Sequence, residues 1–358
     1  MNNKVLVAMS GGVDSSVAAL LLKQQGYECC GCTMKLFGND LLPEKTEKSC
    51  CSLDDVEDAR GVAFRLGMPY YVFNLSDDFE EKVIHRFIES YASGKTPNPC
   101  IDCNRYLKFE KLYERAMALG CDAIATGHYA RIEYDGEKYL LKKAAAPEKD
   151  QSYVLYSLSQ EQLSRTLFPL GKLQKEQTRA LAQECGFRNA SKPDSQDICF
   201  VPGGDYASFI TRTTGLTFPE GNFVDSEGHV LGRHKGIIHY TVGQRRGLGI
   251  AAKAPLYVAA IDAEKNTVTL TEKEGLFART VYAGDIRETY PGALDGEKRV
   301  KAKIRYRHQE QPATVIRDGG RLELRFDEPQ RAPTPGQAAV VYDGDVVLGG
   351  GVITGAGD

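Results

Sequence analysis

Two cysteines three apart, Cys100 and Cys103, lie in "KTPNPCIDCNRYLKF", between a stiff Asn98-Pro99 and a basic, helix-like run. In an intracellular protein a C-x-x-C is a metal clip, a redox pair or a coincidence. A further thiol, Cys199, stands in "SKPDSQDICFVPGGDY", a stretch without period that reads as a mobile loop. A different chemistry is written near the start, in Ala8-Met9-Ser10-Gly11-Gly12-Val13-Asp14-Ser15-Ser16. Its glycines let the backbone turn tightly and aim N–H groups at a phosphate. Ser10, Ser15 and Ser16 add hydroxyls, and the following helix adds positive potential at its N-terminus. The loop lacks the Gly-Lys-Ser/Thr of a Walker A motif and the spacing of a dinucleotide fingerprint. The bland alternative is a capped Gly-rich turn.

These groups must be placed by a chain of 358 residues, long enough for two or three domains. Its residues are 42% hydrophobic and 26% charged, as in ordinary globular proteins. No apolar run approaches the roughly 20 residues of a membrane span. The first residues enter a strand-like stretch without a signal-peptide pattern, so a cytoplasmic address and no membrane partner are expected. A net charge of −3 means that any nucleic-acid partner must be met by a local basic surface. Ten cysteines are too sparse for a disulfide scaffold in a chain of this length. Cys29, Cys30, Cys32, Cys121 and Cys185 read as small core residues.

The first half alternates strand and helix. Val5 to Ala8 reads as a buried strand, and residues 15–25 as a helix stopped by Gly26. Leu53, Val56, Ala59, Ala63 and Leu66 mark the next helix, Tyr70 to Leu75 the next strand, and further helices follow over 79–91 and 109–119. This alternation predicts an α/β fold, a doubly wound parallel sheet covered on both faces. Asp135-Gly136 marks a hairpin. After about residue 207 short alternating runs and turns take over, predicting a small β-rich linking domain and a C-terminal β-barrel. The expected divisions are 1–206, 207–275 and 276–358.

The S-G-G-x-D-S core resembles the PP-loop of the ATP pyrophosphatase superfamily. "TPNPCIDCNRYLKF", "EKDQSYVLYSLSQEQL" and "SKPDSQDICFVPGGDY", with the PP-loop and the β-rich C-terminus, resemble the tRNA-specific 2-thiouridylases over essentially the whole chain. The resemblance implies ATP with Mg²⁺, adenylation of O2 of the wobble uridine in a tRNA anticodon stem-loop, and replacement of that oxygen by sulfur. It places ATP on Ala8, Met9, Ser10, Gly11, Gly12, Val13, Asp14 and Ser15, with Met34 and Gly127 lining the adenosine. It makes Cys199 the residue that receives sulfur as a persulfide from a donor protein. Cys103 is its partner, releasing sulfide and leaving a Cys103–Cys199 disulfide. Asn98, Pro99, Cys100, His128, Lys149, Asp150, Gln151, Arg305, Tyr306 and Gln337 would contact tRNA or the target base. His128 could equally be a satisfied core histidine.

One position departs from the family, many of whose members carry an acid where this chain has Cys100. Cys100, Cys103 and Cys199 then make a three-thiolate set that would leave one iron of a [4Fe-4S] cluster open to carry sulfide. Persulfide and cluster routes both stand at this point, and zinc on Cys50, Cys51, Cys100 and Cys103 is a third reading. Residues 298–308, "KRVKAKIRYRH", would as a strand turn Arg299, Lys301, Lys303, Arg305 and Arg307 to one face. That face fits RNA phosphate, or an edge strand guarded against aggregation. Arg233, Lys235, Arg245 and Arg246 add cations from the middle domain. Two other functions compete: an amidating PP-loop synthetase, which would leave Cys103 and Cys199 unused, and an RNA-binding module without catalysis.

Overall fold

The computed structural model describes residues 3–38, 53–194 and 198–357. The N-terminal part is built on a five-stranded parallel sheet. Its strands are β1 (Lys4–Ala8), β2 (Glu28–Lys35), β3 (Tyr70–Asn74), β4 (Ala123–Ala125) and, after the hairpin β5 (Arg131–Tyr134) and β6 (Tyr139–Lys142), β7 (Thr166–Leu167). The order is β3-β2-β1-β4-β7. β1 is flanked by β2 on one side and β4 on the other, so the connections run opposite ways from it. The crevice at the carboxyl ends of these strands is where open α/β sheets bind ligands.

Burial explains why β1 and β2 read as continuous apolar runs. Val5, Leu6 and Val7 are sealed between helices on both faces, as are Cys29, Cys30 and Cys32. Burial pushes the Cys29 thiol up to about 11 and Cys30 up to about 12. Cys30 Sγ lies 3.5 Å from Cys121 Sγ in the same interior. These are core cysteines, as the sequence suggests, and thiols so placed are poor nucleophiles. The helices at Val13–Gln24 and Leu53–Arg65 also form as expected.

A four-stranded sheet follows, ordered β10-β11-β8-β9, from β8 (Gly221–Val224), β9 (Val230–His234), β10 (Tyr257–Asp262) and β11 (Thr267–Thr271). The C-terminal strands are β12 (Phe277–Glu288), β13 (Glu297–Lys303), β14 (Gln311–Asp318), β15 (Arg321–Arg331), β16 (Ala338–Asp343) and β17 (Val346–Gly357). Pairing of β12 with both β15 and β17 closes them into a six-stranded barrel, which removes the exposed edges. The N-terminal hairpin continues this barrel sheet, since Lys142 of β6 pairs with Val346 of β17. Arg131 reinforces the seam with ion pairs to Glu133 and Asp345.

Three parts of the chain meet at Lys95 to Pro99. Thr96 N–H donates to Pro335 O at 2.8 Å, and Gln337 Nε2 donates to Thr96 O at 2.8 Å. Gly336 sits at φ +93°, where a Cβ would press within 3.0 Å of the Thr96 backbone. Thr96 Oγ1 also faces Thr241 Oγ1 of the middle part at 3.3 Å.

Candidate active site

The glycine loop leaves β1 and enters the helix at Val13 with Gly12 as its N-cap. Ser15 Oγ accepts from Ser10 N–H at 3.2 Å and donates to Gly12 O at 3.1 Å, so the loop is folded on its own serines. Gly11 adopts φ +74°, and a Cβ there would fall 2.3 Å from Asp55 O. Gly127, just beyond β4, is equally tight: its Cβ would lie 2.7 Å from Ser15 N. Met34 is the penultimate residue of β2, packed against two apolar clusters. Every residue expected to line the nucleotide therefore clusters at the carboxyl end of the sheet.

Residues far along the chain lock the loop. Lys175 is only 6% exposed, and its Nζ lies 2.7 Å from Asp14 Oδ1 and 2.7 Å from Asp194 Oδ1. Lys149 and Arg179 join Asp194 at 3.0 and 3.3 Å. Burial raises the Asp194 carboxyl, but hydrogen bonds from Lys175 and Lys149 outweigh it and hold the group below the usual carboxylate range. Tyr129 OH donates to Asp14 Oδ1 at 3.0 Å. Asn189 Nδ2 donates to Gly11 O at 2.8 Å and to Ser16 Oγ at 2.9 Å. Lys175, Asn189, Asp194 and Tyr129 escape a reading of the sequence. The one signal for them is Lys175-x-x-x-Arg179, two cations on one helical face.

Asn98 caps the helical run that begins at Pro99, its Oδ1 accepting from Cys100 N–H at 3.2 Å. Helical structure continues through Cys103–Lys111 with π-type hydrogen bonds, a form frequent at functional sites. Cys100 is exposed and Cys103 part-buried. Cys199 is also part-buried. Its neighbour Phe200 is 1% exposed and sits edge-on to Phe79 and Phe87, with ring centroids 5.6 and 5.2 Å away. The stretch expected to be a mobile loop is thus pinned beside its thiol. Cys103 and Cys199 pack against the same apolar cluster.

A [4Fe-4S] cluster on Cys100, Cys103 and Cys199 does not fit this arrangement. Among the described residues no three His, Cys, Asp or Glu side chains converge on a point that could hold a metal, these cysteines included. Cys100 is exposed, while Cys103 packs against the apolar cluster. The zinc reading rests on Cys50 and Cys51, which lie outside the described residues.

Lys149-Asp150-Gln151 connects the two centres. Asp150 accepts from Ala144 N–H and Ser152 Oγ, Gln151 Oε1 accepts from Tyr129 N–H, and Gln151 bonds the Tyr306 hydroxyl. Burial raises the Tyr306 phenol, and the nearby Asp150 adds to that. His128 stacks among Phe109 and Phe168 with Nδ1 2.7 Å from Thr126 Oγ1, and burial drives its pKa well below the usual histidine range.

The basic run is corrected by the structure. β13 ends at Lys303, so residues 304–308 are not a strand. Arg299 forms two 2.8 Å bonds to Asp327, and Lys301 lies 3.8 Å from Glu310. Arg305 turns inward, donating to Val242 O, Ala332 O and Thr334 Oγ1. A single five-cation face does not form: Arg299 and Lys301 meet carboxylates, and Arg305 turns to interior oxygens.

Comparison with known proteins agrees with this architecture. Residues 3–203 match the family model described as tRNA methyl transferase HUP domain. Residues 207–272 match its PRC-barrel domain, and 278–353 an aminomethyltransferase beta-barrel domain. The chain is 51% identical to a tRNA-specific 2-thiouridylase MnmA of Clostridioides difficile, covering 99% of this chain and 98% of that one. It is 52% identical to the protein of that name from Acetivibrio thermocellus, covering 98% and 99%. Among solved structures, a U34-tRNA thiolase NcsA from Methanococcus maripaludis overlaps 60% of this chain and 66% of that one, at 18% identity and TM-score 0.36. By near full-length identity of about half its residues with these relatives, the chain belongs to the tRNA-specific 2-thiouridylase family.

Proposed function

We propose that the protein is a cytoplasmic, ATP-dependent tRNA uridine 2-sulfurtransferase acting on the wobble uridine. Its catalytic unit spans 1–206, joined by 207–275 to a tRNA-binding barrel over 276–358. The observation that carries the reading is the pairing of a serine- and glycine-built nucleotide loop with two part-buried thiols, Cys103 and Cys199, on one apolar cluster. An amidating synthetase has no use for those thiols, and a passive RNA-binding module has none for the loop.

The uridine C2 carbonyl is urea-like and oxide is a poor leaving group. O2 therefore attacks the α-phosphorus of ATP, pyrophosphate departs, and O2 becomes part of an AMP leaving group. Ala8 to Ser15 hold the phosphates, with Met34 and Gly127 against the adenosine. Lys175, beside Asp14, adds charge for the departing pyrophosphate. Mg²⁺, arriving with the nucleotide, neutralises phosphate charge. A sulfur-donor protein first loads Cys199 as a persulfide. The Cys103 thiolate then attacks the Cys199 sulfur, forming the Cys103–Cys199 disulfide and expelling hydrosulfide. Hydrosulfide adds to C2, AMP leaves, and an external thiol reductant restores both cysteines.

The base enters over Asn98-Pro99-Cys100, whose approach is braced by Gln337 through Thr96 O and Pro97 O. Tyr306, Lys149, Asp150 and Gln151 line its flank, and His128 forms a neutral wall. The extrusion of a single-stranded base into such a pocket is the usual route for enzymes acting on an anticodon loop. Purified protein given ATP, Mg²⁺, sulfide and unmodified tRNA should yield 2-thiouridine at the wobble position, read by nucleoside mass spectrometry. Release of AMP without a thiolated nucleoside would contradict the assignment.

A further inference from the structure

Within the basic run Lys303 is the last residue of β13. Its Nζ stands 5.8 Å from the centre of the Tyr153 ring and 5.7 Å from that of Tyr306. The two rings lie 5.9 Å apart, Tyr153 fully buried and Tyr306 partly exposed. Tyr306 in turn adjoins Cys100, Asp150 and Gln151, so Lys303 belongs to the rim expected to receive the flipped base. Among the described residues no carboxylate oxygen lies within 4.0 Å of its ammonium, whereas Arg299 is paired with Asp327 and Lys143 and Lys301 share Glu310.

A half-buried ammonium loses hydration, and burial lowers the Lys303 pKa from the usual lysine range. Asp150 and Glu310 oppose that at longer range, and Lys143 adds to it. Two ring faces offset only part of the lost hydration. A cation held this way at the mouth of a polyanion site lacks its counter-ion until the polyanion arrives.

We propose that Lys303 holds a phosphate next to the flipped nucleotide, with Tyr153 and Tyr306 fixing its ammonium at the mouth of the base site. This rests on the thiouridylase reading above and adds a specific contact to it. A backbone phosphate is the fitting ligand, because two ring faces do not supply the anionic acceptor that an ammonium with three donors can take, and a compact −1 charge does. It also gives the rim a grip that does not depend on the identity of the base.

The test is binding of a fluorescent anticodon stem-loop by the full chain across a salt series, for wild type, Lys303→Met and Lys303→Arg. Lys303→Met should weaken binding about tenfold and reduce the salt slope by about one, while Lys303→Arg keeps the slope. A methylphosphonate at one linkage flanking the target uridine should weaken wild type and leave Lys303→Met unchanged. ATP binding and the thermal melt of each variant report that it is folded. Unchanged affinity and slope in folded Lys303→Met would overturn the assignment, as would an equal methylphosphonate effect in both proteins. A wild-type protein that binds no stem-loop would instead overturn the functional reading.

Discussion

Lys175 places its ammonium 2.7 Å from Oδ1 of Asp14, joining a residue of the glycine loop to a helix 161 positions later in the chain. That bond, with Asp194 on the other side of Lys175, turns a locally folded loop into a fixed cradle. Lys175→Met would remove the cation shared by Asp14 and Asp194, leaving Asp14 with the Tyr129 hydroxyl and Asp194 with Lys149 and Arg179. Because Asp14 and Asp194 are partly exposed, the expected loss is about 1–3 kcal/mol, below the cost of breaking a fully buried pair. The apparent affinity for ATP should fall at least tenfold. Thermal melts and nucleotide titration check both, and unaltered ATP affinity in a folded variant would contradict the role.

Gly127→Ala tests the close approach beneath the loop. The added methyl would sit 2.7 Å from Ser15 N and 2.8 Å from Asp14 C, both backbone atoms that cannot swing away. We expect a loss of about 1–3 kcal/mol from overpacking, and an ATP defect larger than the stability defect. Urea unfolding alongside ATP titration separates the two.

Arg305→Met distinguishes a brace from a phosphate ligand. Removal takes a donor from Val242 O, Ala332 O and Thr334 Oγ1, of which the last two keep their bond to each other, with about 1–3 kcal/mol lost for the unsatisfied acceptor. Arg305→Lys should recover little, since one ammonium cannot reproduce the guanidinium fork. Denaturant unfolding should show the loss in the absence of RNA, and a variant as stable as wild type would favour direct phosphate binding instead.

His128 makes a pH-dependent contribution whose sign follows from its depressed pKa. The folded protein holds the ring neutral, so below about pH 6.5 the unfolded chain binds the extra proton first. Stability from this site is complete above pH 6.5 and falls as pH drops, by at most about 1.4 kcal/mol per unit. The difference in stability between wild type and His128→Gln should therefore shrink from pH 7 to pH 5. A constant difference across that range would rule out a buried neutral imidazole.

What the sequence reveals follows the range of the interactions involved. The nucleotide loop is legible because its glycines and serines act on one another within six positions, Ser10 to Ser15. The buried strands and the amphipathic helices are legible for the same local reason. Lys175, Asn189 and Asp194 are not, because only the closure of the fold brings them to Gly11 and Asp14. The run from Lys298 to His308 misleads in the opposite direction. Its spacing is that of a basic face, yet Asp327 of β15 and Glu310, just before β14, meet the cations and Arg305 finds interior carbonyls. Phe200 illustrates a third case: one aromatic residue in a breaker-rich stretch pins the segment that carries Cys199.

The central claim is that sulfur moves from a Cys199 persulfide with Cys103 closing the disulfide. The most direct measurement is a single turnover of iron-free protein, loaded with persulfide and mixed with ATP, Mg²⁺ and unmodified tRNA, then mapped by mass spectrometry. The account predicts up to one 2-thiouridine per loaded Cys199, with Cys103 and Cys199 joined by a disulfide. It also predicts that Cys199→Ser gives neither product. Full thiolation by Cys199→Ser from the same donor, or a turnover that requires iron and leaves Cys103 and Cys199 unlinked, would contradict it.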